Sequence, residues 1–192
     1  MLTTVWSGSW RFEEGNDMRV LILGLNHQIQ WVRIFSRSST GELERFEKDQ
    51  KDRFRQLLRN KIADRKAQFV GEETKHGEPS IAEEVSVSPC RYANIEMSPE
   101  ERAERKITGN YENDPNVTPE ERAQFNRERE EYMFKKATAE ARDAESIIVI
   151  CGRQHTPALA NRFREAGHNV EEADTQSEPW YIEDWMNHMM RL

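Results

Sequence analysis

The stretch "SIIVICGRQHTP", residues 146–157, sets an apolar run of strand length against Gly152 and places His155 three residues beyond it. The same grammar stands near the other end in "MRVLILGLNHQ", residues 18–28, where Gly24 precedes His27. Continuous apolar runs of this length suit strands covered on both faces, as in a parallel sheet. Outward from these two, "AQFVGEE" (67–73), "RYANIEM" (91–97) and "HNVEEAD" (168–174) read as further strands. Between them lie helical patterns. From Gly41 to Lys66, Leu43, Phe46, Phe54, Leu57, Leu58 and Ile62 form a narrow apolar stripe on a charged helix. "PSIAEEVSVS" (79–88) reads as a short helix, and "TPALANRFREAG" (156–167) as another. The Thr-Pro-Glu-Glu start at Thr118 opens a helix running to about Ala144, with threonine as cap and proline at the first helical position. Strands alternating with helices predict an α/β fold with a mostly parallel sheet of about five strands flanked by helices, Rossmann-like and three-layered.

With 192 residues the chain has the length of one domain. Residues 18–192 read as that domain and residues 1–17 as an N-terminal extension, with Met18 as an alternative start. Residues 98–118 carry few large apolar groups and are expected to form a variable loop or lid, while the tail from Glu178, with Trp180, Tyr181 and Trp185, reads as a capping helix. The formal charge of -7 and a pI near 5.4 argue against nucleic-acid or anionic-lipid partners. No apolar run approaches the roughly 20 residues that cross a bilayer, and the first 17 residues lack the basic start and apolar core of a secretion signal. A cytoplasmic location is expected. Cys90 and Cys151 are too few for a disulfide framework, and Cys151, inside an apolar strand, reads as a small core residue.

The chemistry gathers at strand ends. In an open parallel sheet, ligands collect beyond the carboxyl ends of the strands, where strand order reverses. Gly24 and Gly152 stand at such ends, where glycine permits close approach of the backbone to a ligand or cofactor. His27 and His155 then project from neighbouring loops into one crevice. Glu72 and Glu73 end another apolar run, and strand geometry turns their side chains to opposite faces. Two histidines with a carboxylate make a set for a divalent metal, on His27, Glu73 and His155, and equally a set for acid–base chemistry. Arg129 shares a helix face with Phe125 and Met133. Directed inward, its guanidinium needs Glu72, Glu73 or a ligand anion; alternatively its stem lies along the core with the charge in water. No phosphate loop, GxGxxG fingerprint, GxSxG elbow, HExxH or CxxC pair is present.

Taken in order, "GLNH" (24–27), "GEE" (71–73), "REEYM" (129–133) and "GRQH" (152–155) resemble the superfamily that includes the TIKI and TraB proteins, erythromycin esterases, the haem-binding ChaN proteins and a Pasteurella toxin domain. The resemblance implies an active-site cleft lined by His27, a glutamate of the Glu72/Glu73 pair, Arg129 and His155. It does not imply one reaction, since TIKI-like members are regarded as metal-dependent proteases, erythromycin esterases open a lactone, and ChaN-like members bind haem. The leading expectation is a small hydrolase acting on a small-molecule or short acyl or phosphoryl substrate, with a divalent metal as an optional cofactor. A non-enzymatic module binding haem or another small ligand is the alternative, and a protein-interaction module using the tryptophan-rich tail is a third. An oligomer is compatible with each of them.

Overall fold

The computed structural model describes residues 17–32, 41–107, 111–112 and 114–181. The extension through residue 16 and the tail from residue 182, with Trp185, lie outside the described residues. In chain order the elements are β1 (Arg19–Leu25), α1 (Glu42–Arg65), β2 (Phe69–Glu72), α2 (Ile81–Val85), β3 (Arg91–Asn94), α3 (Pro99–Glu104), α4 (Pro119–Glu140), β4 (Ser146–Gly152), α5 (Thr156–Glu165) and β5 (Asn169–Asp174). The five strands form one parallel sheet in the order β3-β2-β4-β1-β5.

The apolar runs at 19–25 and 146–152 become the two adjacent central strands, joined in the register Leu23↔Ile150 and Leu25↔Gly152. Alternate residues of β1 serve opposite layers. Val20 and Ile22 pack with Met133, Leu159 and Phe163 of α4 and α5, whereas Leu21 and Leu23 pack with Phe54, Leu58 and Ile81 of α1 and α2. The crossovers explain this division. The chain moves in one direction across the sheet from β1 to β2 to β3, then returns through β4 to β5, so right-handed connections lay the first two helices on one face and the later ones on the other. The resulting α/β fold has helices on both faces of a five-stranded parallel sheet.

Residues 98–118 depart from the expected loop. Ser98 caps α3 with a full capping box, its hydroxyl accepting from the Glu101 N–H while the Glu101 carboxylate accepts from the Ser98 N–H. Thr118 and Glu121 repeat that device at the start of α4. Beyond α3, Ile107 and Tyr111 are buried with Met97 in a third cluster, and Phe125 of α4 meets the Tyr111 ring edge-on at 5.3 Å. Ile107 and Tyr111 therefore make the described part of this segment a packed wall. Other differences are of boundary: α4 ends at Glu140 instead of near Ala144, β2 stops at Glu72 and β3 at Asn94. Cys90 and Cys151 are unpaired and buried, and burial pushes the Cys151 thiol far above its ordinary pKa. Trp180 and Tyr181, within the described part of the tail, pack partly against the α1 layer. No helix among the described residues is long and apolar enough to cross a membrane.

Phe163 carries much of the packing between α5, α4 and the sheet, being 0% exposed and edge-on to Phe134 at 4.9 Å. Phe163→Ala is expected to lower the unfolding free energy by about 3–5 kcal/mol, read from the midpoint of a urea titration at unchanged slope.

Candidate active site

Strand β4 delivers its chain to the α5 layer, while its neighbours β1 and β2 deliver theirs to the α1 layer. The backbones part at their carboxyl ends, and a crevice opens between them. His27 starts a 3-10 turn directly after β1, and His155 ends another directly after β4. Glu73 follows β2 and extends its pairing by one bond, its N–H donating to the Ile150 carbonyl at 2.8 Å. Three strand ends thus bring one side chain each to the same place.

Glu73 stands at the centre. Its Oε1 accepts from Arg129 Nη2 at 2.6 Å, and its Oε2 accepts from the Gly152 N–H at 2.7 Å. His27 Nε2 and His155 Nε2 each lie 3.6 Å from Oε1. Arg129 reaches this point from α4, where the face it shares with Met133 turns to the sheet. Its five N–H donors all find acceptors: Glu73, both oxygens of Glu96, the Tyr111 hydroxyl and Glu112. Burial alone would lower the arginine pKa, but the charges of Glu73 and Glu96 raise it above its ordinary value, so the guanidinium is permanently charged. Burial alone would raise the Glu96 pKa, and the charges of Arg129 and Arg102 bring it below the usual carboxylate range.

The two imidazoles are anchored through their Nδ1 atoms to different groups. His155 Nδ1 lies 3.0 Å from Glu130 Oε1, and since a carboxylate only accepts, this nitrogen carries the proton. Burial by itself would depress the His155 pKa, but the Glu130 hydrogen bond and the Glu73 charge raise it. His27 Nδ1 lies 2.6 Å from Gln30 Oε1. The His27 side chain is 39% exposed and that of His155 1%. His27 Nε2 makes no hydrogen bond to a described residue. A cleft of about 650 Å³ opens over His27, Glu73 and Arg129, with Trp31, Met97 and Ile107 as its apolar wall.

The expected set is thus brought together with one division and one exception. His27, Glu73 and Arg129 line the cleft; His155 touches Glu73 from inside the protein and does not line it. Glu72 turns to the opposite face, is 0% exposed, and accepts from Tyr92 Oη at 2.7 Å and Gln30 Nε2 at 3.1 Å. Among the described residues no cation pairs with it, and burial pushes its pKa up to about 7. Gly24 and Gly152 are approached closely by the protein's own side chains: a Cβ at Gly24 would lie 2.6 Å from Thr156 Oγ1, and one at Gly152 would lie 2.7 Å from His27 Nε2. Their role in this geometry is to admit Thr156 and His27. Glu96, Tyr111, Glu112, Glu130 and Gln30 were not among the sequence candidates; only Glu130, adjacent to Arg129, carried a signal, as an acid on the inward side of α4.

The expected metal set, His27, Glu73 and His155, meets a conflict at Glu73. The Glu73 oxygen that both imidazoles face is held by a guanidinium at 2.6 Å, and its partner oxygen by a backbone N–H. A dication sharing that carboxylate would sit against the Arg129 charge. Among the described residues no three His, Cys, Asp or Glu side chains are arranged to hold a metal ion. The residues as placed do not fit a resident divalent metal.

Removing Arg129 takes the guanidinium from Glu73 and leaves Glu96 with Arg102 alone, so Arg129→Met is expected to lower stability by about 3–5 kcal/mol in a denaturant titration. Two groups govern the pH dependence. The folded-state pKa of Glu72 is raised from 4.5 to about 7, so its stabilising proton is held fully below 4.5 and lost as pH climbs through 7. That of His155 is raised from 6.5, so its contribution is present below 6.5 and lost above it. Unfolding free energy is expected to fall as pH rises from 4.5 through 7, with a shallower fall in Glu72→Gln; an unchanged slope in the variant would show that Glu72 does not titrate there.

Compared with protein-family models, with characterised proteins and with solved structures, the chain matches none.

Proposed function

We propose that this protein is a small hydrolase acting on an ester, a lactone or another small acyl or phosphoryl substrate, with His27 as its proton acceptor. The observation that carries the reading is the bare Nε2 of His27 at a cleft of about 650 Å³, 3.6 Å from a carboxylate whose charge is held in place by Arg129. The ordered likeness of "GLNH", "GEE", "REEYM" and "GRQH" to the TIKI, TraB and erythromycin esterase superfamily supports it.

In this mechanism a water attacks the acyl carbon and passes its proton to His27 Nε2. The new imidazolium then faces Glu73, which offsets the charge. The carbon–oxygen bond to the leaving group breaks, and the leaving alkoxide takes the proton back from Nε2. Negative charge on the attacked oxygen is stabilised by Arg129. All five donors of Arg129 have partners, so the substrate oxygen displaces one, and Glu112 is the acceptor most readily displaced: its bond is 3.2 Å and its side chain is 44% exposed. His155, held between Glu130 and Glu73, keeps the carboxylate in place. The apolar wall of Trp31, Met97 and Ile107 takes the body of the substrate.

The test is a panel of chromogenic esters, lactones, peptides and phosphoesters with wild type and His27→Ala. Turnover is expected to fall by about 10²–10⁴-fold in the variant at unchanged circular dichroism. A folded His27→Ala protein with wild-type turnover would sink the reading. Metal analysis of wild type and the His27→Ala/His155→Ala double variant supplies the complement: a stoichiometric ion lost in the variant would replace general-base catalysis with a metal route. The same apolar wall favours a second reading, a binding module for haem or another small apolar ligand. A Soret band on haem titration, with no turnover on the panel, would establish it.

A further inference from the structure

We propose that Gln30 is a positioning residue that fixes the tautomer of His27, putting the proton on Nδ1 and the lone pair on the Nε2 that faces the cleft. The proposal deepens the reading of His27 as the proton acceptor and rests on it for its catalytic meaning.

Gln30 is 0% exposed, and its amide nitrogen lies 2.9 Å from the backbone carbonyl of Glu73 and 3.1 Å from Glu72 Oε1. A backbone carbonyl can only accept, so the group facing it must be the NH2. Turning the amide over would set its oxygen against the Glu73 carbonyl in a buried site, leaving two acceptors without a donor. The amide orientation is therefore determined, and its oxygen points at His27 Nδ1, 2.6 Å away. An amide oxygen has no proton to give. Nδ1 of His27 must carry it, and in the neutral ring Nε2 is left with the lone pair.

The residue is held at both ends. The Gln30 carbonyl accepts from the Ile81 N–H at 2.7 Å at the start of α2, and Glu72 is fixed in turn by the Tyr92 hydroxyl. The protons of this chain converge on Glu72: His27 donates to Gln30, Gln30 to Glu72, and Tyr92 to Glu72 from the other side. His155 has the same tautomer but is backed by a carboxylate, Glu130. An amide orients the ring without adding negative charge; a carboxylate orients it and favours the imidazolium. The two backings separate the roles, with His155 the ring that more readily takes up a proton beside Glu73 and His27 the ring whose Nε2 faces the cleft.

The test reads the tautomer directly and needs no substrate. Two-bond proton–nitrogen correlation spectra of the 15N-labelled full chain are recorded for wild type and for Gln30→Met, which keeps the buried volume and removes both hydrogen-bonding groups. Neutral His27 is expected to show a protonated Nδ1 and a bare Nε2 in wild type. Gln30→Met is expected to move the ring toward the Nε2–H form that free histidine prefers in water, with His155 unchanged. Wild-type His27 protonated on Nε2 overturns the proposal, whether or not the variant folds. A folded Gln30→Met that keeps the proton on Nδ1 overturns it as well. Nδ1–H in wild type, lost in the variant, together with no turnover on any substrate would leave the positioning role standing and bring down only the hydrolase reading.

Discussion

A guanidinium taken out of water must have every N–H answered, and in this protein that requirement organises the carboxyl end of the sheet. Arg129 comes from α4, yet its partners come from after β2, from after β3 and from the segment between α3 and α4. The arginine thus ties four parts of the chain to one point. It also supplies the counter-charge that Glu73 and Glu96 need at 2% and 4% exposure. The cost is conformational latitude. Once the five bonds are made, Glu73 has one position, and both imidazoles are placed relative to it.

The sheet topology decides what is done with that fixed carboxylate. Because β4 sends its chain to one layer and β1 to the other, His155 enters the interior beside α4 while His27 emerges at the cleft. Two residues in the same local pattern therefore have different surroundings. One has a carboxylate behind it and no access to solvent; the other has an amide behind it and an open face. Glu72 and Glu73 divide in the same way, being consecutive at a strand end: the first faces the α1 layer with hydroxyl and amide donors, the second faces Arg129.

Much of the fold was legible in the chain. The runs at 19–25 and 146–152 have enough apolar residues in sequence to require cover on both faces, and each carries a glycine at or next to its end. The Thr-Pro-Glu-Glu start of α4 announces itself because it is followed by a long helical pattern. Ser-Pro-Glu-Glu at 98–101 is the same signal, but the helix it opens is six residues long and buries none of them, so the low apolar content obscured the cap. Of the site, the two histidines, the acid pair and Arg129 were visible because each interrupts an apolar pattern. Glu96, Tyr111 and Gln30 were not. Their significance lies in partners up to 43 residues away, and nothing in their immediate neighbours marks them.

Local sequence by itself determined where strands and helices begin, which residues form the two apolar layers, and that chemistry-bearing side chains stand at strand ends. Those are consequences of apolar period, capping and chain stiffness, which act over a few residues. Tertiary structure alone decided which glutamate meets Arg129, which histidine reaches the cleft, and that Gly152 admits the imidazole of His27. Each depends on strand order and register, and so on contacts between segments whose separation along the chain carries no local trace.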